Sequence, residues 1–213
     1  METHLHTEHV DDGYVKYHCV WTKAQPLAPD QLTELNHWRQ QMYYLHLIGA
    51  YTNHVGFGNV SVRIPGTNKF IISGTETGNL KFLDESHYCI VTATDIANNT
   101  LYCTGPIRAS SEAMTHAAIY NADADAMAVI HVHSPTMWEA LKGKLHTTDE
   151  NATYGTPAMA GELTTAATKK LKEKLVVMGG HKEGLIAWGP TIADAGKVII
   201  KHYEKLKLNP SHT

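Results

Sequence analysis

The chain has 213 residues, 43% of them hydrophobic and 18% charged, with a formal net charge of −3. That is enough apolar material for a full core and too little charge for a disordered polymer. Without a basic face it does not read as a nucleic-acid binder, and no apolar run approaches the length of a membrane span. The start, "METHLHTEHVDDG", lacks the apolar centre of a signal peptide. Three cysteines, Cys19, Cys89 and Cys103, show no CxxC spacing, which points to a reducing, cytoplasmic setting and away from a disulfide framework or thiolate zinc site. The unusual count is histidine: fifteen, nearly as many as the eighteen lysines and arginines together.

In chain order, residues 1–28 read as a loosely held polar arm, and 29–213 as one domain without repeats or linkers. Pro29-Asp30 starts a helix whose Leu32, Leu35, Trp38, Met42 and Leu45 recur at helical spacing, ending near Gly49. "NVSVRI" alternates as a strand, "PGTN" turns, and "KFIIS" returns as the hairpin partner. "YCIVTA" and "TLYC" are two further strands. "SSEAMTHAAIYNA" is a helix opened by a serine cap, and "MAVIHVH" the strand after it. Pro135 opens a short helix in "SPTMWEAL", and "ELTTAATKKLKEKL" is a longer one whose "KKLKEK" forms the wet face. "LVVM" and "GLIAWG" are short strands around "GGHKE", with Trp188 packing beneath that loop, and a last helix runs from about Thr191. Several neighbouring strands are joined by tight turns. The fold class is therefore mixed α/β, a largely antiparallel central sheet with helices on both sides.

The chemistry concentrates in "AVIHVHSP". His131 and His133 stand two apart in an apolar strand, so alternation sets both rings on one face. Such a pair is either a hydrogen-bonded core couple or two metal ligands. "VVMGGHKEGLIAWG" supplies a third imidazole, His181, in a glycine turn directly after an apolar strand. Three histidines with an open fourth position are how a catalytic zinc is held. Glu112 falls in the first helical turn of "ASSEAMTH", and Ser110 and Ser111 beside it offer hydroxyls and helix-start N–H groups to an anion. His116, one turn on, is either a hydrogen-bond partner of that carboxylate or a partly exposed helix histidine. Glu76 and Glu183 are loop carboxylates near these motifs. His4 and His6 repeat the HxH spacing in the polar arm, where nothing preorganises them.

In order along the chain, "GNVSVR", "SSE", "AVIHVHSP" and "GHKEGLIAWG" resemble the motifs of the class II aldolase and adducin family, and the resemblance covers roughly residues 30–206. It implies a metal-dependent aldehyde-lyase of carbohydrate metabolism, cleaving a small ketose phosphate in a retro-aldol reaction through a zinc-stabilised enediolate. His131, His133 and His181 match the three ligands of Zn2+, or of another divalent ion such as Mn2+ or Co2+, with Glu112 as the acidic residue that touches the metal and moves the proton. Asn59, Ser110 and Ser111 match phosphate-holding positions, and "ISGTETG" adds Ser73, Gly74 and Thr75. Tyr154 is the nearest candidate for a tyrosine that reaches a neighbouring subunit's site. The resemblance further implies a homo-oligomer, a tetramer, whose other partner is only the small sugar-phosphate substrate. Two residues, Lys182 and Glu183, separate His181 from Gly184, where the family shows a compact His-Gly. A pentulose-phosphate epimerase, which has aspartate at the SSE position, a sugar-phosphate dehydratase, a hydroxy-acid decarboxylase and a non-catalytic adducin-like module without metal histidines are the alternatives on this fold.

Overall fold

A computed structural model describes residues 16–169 and 171–207. Strand β1 (His18–Lys23) leads through a short 3-10 turn into α1 (Thr33–Tyr44). A two-stranded ribbon, β2 (Gly49–Ala50) with β3 (Gly56–Phe57), precedes the meander β4 (Asn59–Arg63), β5 (Phe70–Ser73), β6 (Tyr88–Asp95) and β7 (Thr100–Gly105). Then come α2 (Ala113–Ala122), β8 (Ala128–His133), α3 (Pro135–Leu141), α4 (Pro157–Thr168), β9 (Leu175–Val177), β10 (Gly184–Gly189) and α5 (Ile192–Lys207). Eight strands form one sheet in the order β1-β7-β6-β5-β4-β8-β10-β9, antiparallel except for β1 against β7. Among the described residues no helix is long and apolar enough to cross a membrane.

Strand alternation sorts the core into two layers. Val129, Ile186, Phe70 and Ile72 face α2 and α4, whereas Ile130, Val132, Leu185, Ala187 and Ile71 face α1, α3 and α5. The helical stripe of Leu32, Leu35 and Met42 lies in the second layer. Helix α3 begins as its sequence dictates: Ser134 Oγ accepts from Met137 N at 3.2 Å, and Pro135 occupies the first turn. The largely antiparallel sheet with helices on both faces is what the sequence led us to expect.

Four local readings change. Residues 18–23, inside the stretch read as an arm, add an edge strand. Tyr17 beside it is buried, with its hydroxyl donating to Ser110 O at 2.9 Å, and Trp21 Nε1 donates to Gly105 O at 3.0 Å. Helix α4 starts earlier, at Pro157, because Thr156 Oγ1 caps Met159 N and proline suits a first turn. It ends at Thr168, so Lys169 and residues 171–174 of "KKLKEK" form no helix face: Lys169 is extended, and Lys174 Nζ reaches Asp123 Oδ2 at 2.6 Å. Trp188 pairs with Val129, the far end of β10 from Gly184, and donates to Asp123 Oδ2 at 2.9 Å, so it does not underlie the histidine loop.

The segment before β9 is tied to α5 through Glu173, whose carboxylate accepts from Lys201 Nζ and pairs with His202 Nε2. Those two hydrogen bonds hold the Glu173 carboxyl down at about 2. A depressed carboxyl stabilises the fold above its unfolded value, and that contribution is lost as pH falls through the folded one. Glu173→Gln should therefore flatten the acid limb of stability between about pH 5 and pH 2, by less than ~1 kcal/mol given solvent screening. Urea melts of both proteins across that window provide the check.

Candidate metal centre

Because β8 lies between β4 and β10, it is buried along its whole length. Val129, His131 and His133 share the face toward α2 and α4. Asn59 pairs with His131, and Gly184 with His133, so residues from three strands meet at one end of the sheet. His181 arrives through the two glycines before it. A Cβ on Gly179 would stand 2.2 Å from Thr148 O, and one on Gly180 2.0 Å from Ala152 O, so no larger residue lets the turn pass this close. The His181 ring then lies over Gly184, where a Cβ would be 3.1 Å from Nδ1, and stacks on Tyr154 with centroids 4.7 Å apart.

His131, His133 and His181 are all buried, and one ligand atom from each lies within 4.8 Å of the others. His131 Nδ1 is 3.0 Å from Leu185 O. A carbonyl only accepts, so Nδ1 carries the proton and Nε2 turns a lone pair inward. His133 Nε2 stands 3.1 Å from that atom. Ligands at about 2.0–2.1 Å from a tetrahedral zinc stand roughly 3.3 Å apart. Three converging imidazoles, two of them at this spacing, fit a divalent cation, and no thiolate stands among the three to offset its charge.

Glu112 sits at the mouth of the cluster, 2% exposed, with Oε1 3.9 Å from His181 Nδ1. It is the residue at the very start of α2, and Thr115 Oγ1 donates to its Oε2. Ser110 does not cap α2 in the usual way: its Oγ is 3.4 Å from Glu112 N and accepts from Asn59 Nδ2 at 2.9 Å. The Asn59 Oδ1 end meets no protein partner among the described residues. Whichever way that amide is turned, one polar end is left for a ligand.

A pocket enclosing about 340 Å³, its open mouth included, joins these groups and is lined by Asn59, Gly74, Thr75, Ser110, Ser111 and Glu112 beside His131 and His133. That is at the small end for ligand clefts. Of the residues singled out from sequence, Ser73 is not on the wall; its Oγ accepts from Val60 N at 3.3 Å, inside the sheet. The wall continues through Glu76, Thr77 and Gly78. Arg39 on α1 holds that loop from behind: buried itself, it donates to Thr77 O at 3.0 Å, Gly78 O at 3.1 Å and Lys81 O at 3.0 Å. Neither this clamp nor Tyr51, whose hydroxyl is 2.8 Å from His133 Nδ1, had a sequence signal, since both contacts join distant parts of the chain.

His116 takes neither role read for it. It is fully buried, with Nδ1 2.7 Å from Ser61 Oγ, which in turn is 2.7 Å from Tyr120 Oη. Burial, and secondarily the nearby His131, push its pKa well below the usual histidine value, so it stays neutral. Tyr154 is buried against His181 of its own chain. His4 and His6 lie outside the described residues.

Among curated proteins, no sequence matches significantly. Solved structures do. An L-fuculose 1-phosphate aldolase shares 20% identity at a TM-score of 0.65, with 86% of each chain covered. A sugar-phosphate aldolase from Thermotoga maritima shares 17% at a TM-score of 0.64, covering 86% of this chain and 97% of the other. YgbL from Escherichia coli, described by three alternative reactions, aldolase, epimerase or decarboxylase, shares 17% at a TM-score of 0.62, covering 84% of this chain and 88% of its own. At these identities the likeness is one of fold. The family profile described as Class II Aldolase and Adducin N-terminal domain matches residues 42–207, and the chain belongs to that family.

Proposed function

We propose that the chain is a metal-dependent lyase of the class II aldolase type, cleaving a small ketose phosphate by a retro-aldol reaction. The observation that carries the proposal is the convergence of three buried imidazoles beside Glu112, at the end of a small polar pocket that His131, His133 and Glu112 line. His131, His133 and His181, with Glu112 beside them, would hold a divalent ion, zinc by preference, which when bound supplies a Lewis acid for charge developing on the substrate's oxygens. Glu112 is the group assigned to move a proton at the carbon next to the carbonyl, with Thr115 orienting its Oε2. Asn59, Ser110 and Ser111, with Gly74 and Thr75 opposite and Ser73 bracing the strand beneath, are assigned to the phosphate end. Burial of the cluster keeps water from the reacting carbon. Three cysteines without a disulfide among them are in keeping with a cytoplasmic reaction.

One observation favours a second reading, a decarboxylase of hydroxylated acids. Among the described residues no lysine or arginine lines the pocket, so the anion-facing groups they supply are hydroxyls, the Asn59 amide and backbone N–H groups. Turnover assays against ketose 1-phosphates and against hydroxy acids, each with and without added zinc, separate the two. Metal-dependent cleavage of a ketose phosphate to an aldehyde is expected; release of carbon dioxide instead would overturn the retro-aldol assignment.

Elemental analysis of protein purified without a metal-affinity step should find about one divalent ion per chain, on the ligand count of a three-histidine site. Replacing both His131 and His133 by alanine should remove it.

Glu112→Gln keeps nearly the same volume and removes the base. Turnover should fall by roughly 10²–10⁴-fold, the range for losing a general acid–base group, while the three imidazoles retain metal. A variant that turns over like the wild type with metal bound would leave Glu112 as a helix-start carboxylate only.

The proposal includes a homotetramer. Light scattering at micromolar concentration should report four chains, and a monomer would count against it.

A further inference from the structure

The family's compact His-Gly is replaced here by His181-Lys182-Glu183-Gly184, and the extra glutamate is held in an unusual way. Glu183 has φ +69°, a left-handed conformation that a non-glycine residue seldom adopts without compensation. Its backbone carbonyl accepts from Ser134 N at 2.9 Å, directly after His133. Its carboxylate Oε2 is 3.1 Å from the Tyr51 hydroxyl, and that hydroxyl is 2.8 Å from His133 Nδ1. Glu183 therefore grips His133 from two sides, once through the main chain and once through the phenol.

Tyr51 is held in turn. It leaves the β2–β3 ribbon at a tight turn, with Tyr51 N donating to Val55 O at 2.9 Å and His54 at φ +68°. Phe57 on the other strand of the ribbon packs on both the Tyr51 ring, at 4.7 Å, and the His133 ring, at 5.3 Å between centroids. The 2.8 Å and 3.1 Å contacts are thus fixed from both ends of the phenol.

We propose that Glu183 and Tyr51 are positioning residues that act through His133, choosing which of its ring nitrogens faces the three-histidine cluster. The chemistry of donors decides the direction. A carboxylate only accepts, so the phenol proton goes to Glu183, and the phenol oxygen is left to accept from His133 Nδ1–H. His133 Nε2 then turns its lone pair toward His131 Nε2, which already presents one because His131 donates to Leu185 O. Two lone pairs 3.1 Å apart repel unless a cation lies between them. The carboxylate–phenol–imidazole chain therefore sets the protein against the alternative in which His133 hydrogen-bonds His131 and the pair closes on itself. Partners behind a metal-bound histidine fix its tautomer in this manner. Glu183 compensates for its strained backbone through these two bonds and has no comparable role in a loop where glycine follows the histidine directly.

The inference rests on the metal-site reading for its purpose but not for its test. Nitrogen-15 NMR of histidine-labelled, metal-free protein should show the His133 proton on Nδ1 in the wild type and no longer fixed there in Tyr51→Phe. Zinc affinity, measured by competition with a chelator, should fall ~10–100-fold in Tyr51→Phe and in Glu183→Ala, and no further in the double variant, since both act on one imidazole. Glu183→Gln, which keeps an acceptor oxygen for the phenol, should stay within about threefold of wild type, short of the loss expected when a partner behind a metal-bound histidine is removed. A wild-type His133 protonated at Nε2, a Tyr51→Phe variant binding zinc like wild type, or single losses that multiply in the double variant would each overturn the proposal. If no variant and no wild type takes up zinc while the tautomer still depends on Tyr51, the positioning chain stands and the metal reading falls.

Discussion

Everything at the site depends on β8 being buried between two antiparallel partners. A strand with neighbours on both edges and helices on both faces cannot slip its register, because a shift by one residue would carry His131 and His133 to the α1–α5 side and put Ile130 and Val132 in the pocket. The same register fixes Asn59 beside His131 and Gly184 beside His133. The hydrophobic layers therefore do more than stabilise the sheet. They decide where the His131 and His133 rings point.

That dependence explains how much the chain revealed before folding was considered. Alternation in "AVIHVH" and "NVSVR", together with the helical stripe of α1, depends on local periodicity; both strands formed where the pattern placed them, whereas the helix read from Pro29 to near Gly49 is a 3-10 turn followed by an α-helix over Thr33–Tyr44 only. The convergence of His131, His133 and His181 was legible because the first two share one face of an apolar strand and the third sits in a glycine turn between two more, in ordered motifs. Other features were not legible. The edge strand β1 has a mixed composition and forms because Tyr17 and Trp21 find carbonyl partners far along the chain. "KKLKEK" has helix-forming residues, yet tertiary contacts of Lys174 and Glu173 hold it out of the helix. His116 looks like any helix histidine until Ser61 and Tyr120 are placed around it. In each case a long-range hydrogen bond outweighed a local preference.

The pocket shows two different ways of handling charge. At the histidines, three nitrogen donors converge with the Glu112 carboxylate beside His181. At the opposite wall the positive charge is kept out of sight: Arg39 spends its guanidinium on three loop carbonyls, so it shapes the Thr77–Lys81 backbone without facing the pocket. Burial works against the charged guanidinium and lowers the Arg39 pKa, although arginine remains protonated at any physiological pH. An arginine enclosed this way stiffens a loop more than it attracts a ligand. Selectivity for the substrate's end group would then come from hydroxyl and amide geometry at Asn59, Ser110 and Thr75, where a small change of shape is felt, and less from long-range attraction.

The parallel pairing of β1 with β7 bears on how the molecule is made. β1 is synthesised before the meander, but its hydrogen-bonding partner is the last strand of that meander, so the β1–β7 pairing cannot form until β7 has been made. Contacts of such high sequence separation close late, because the loop entropy must be overcome first. Tyr17, just ahead of β1, ends with its hydroxyl on Ser110 O, and Lys16 ends over the ring of Tyr154, which stacks on His181. A segment made before the meander thus latches the finished site, and a nascent chain stalled before Gly105 would have neither the β1–β7 pairing nor the ring stack behind His181.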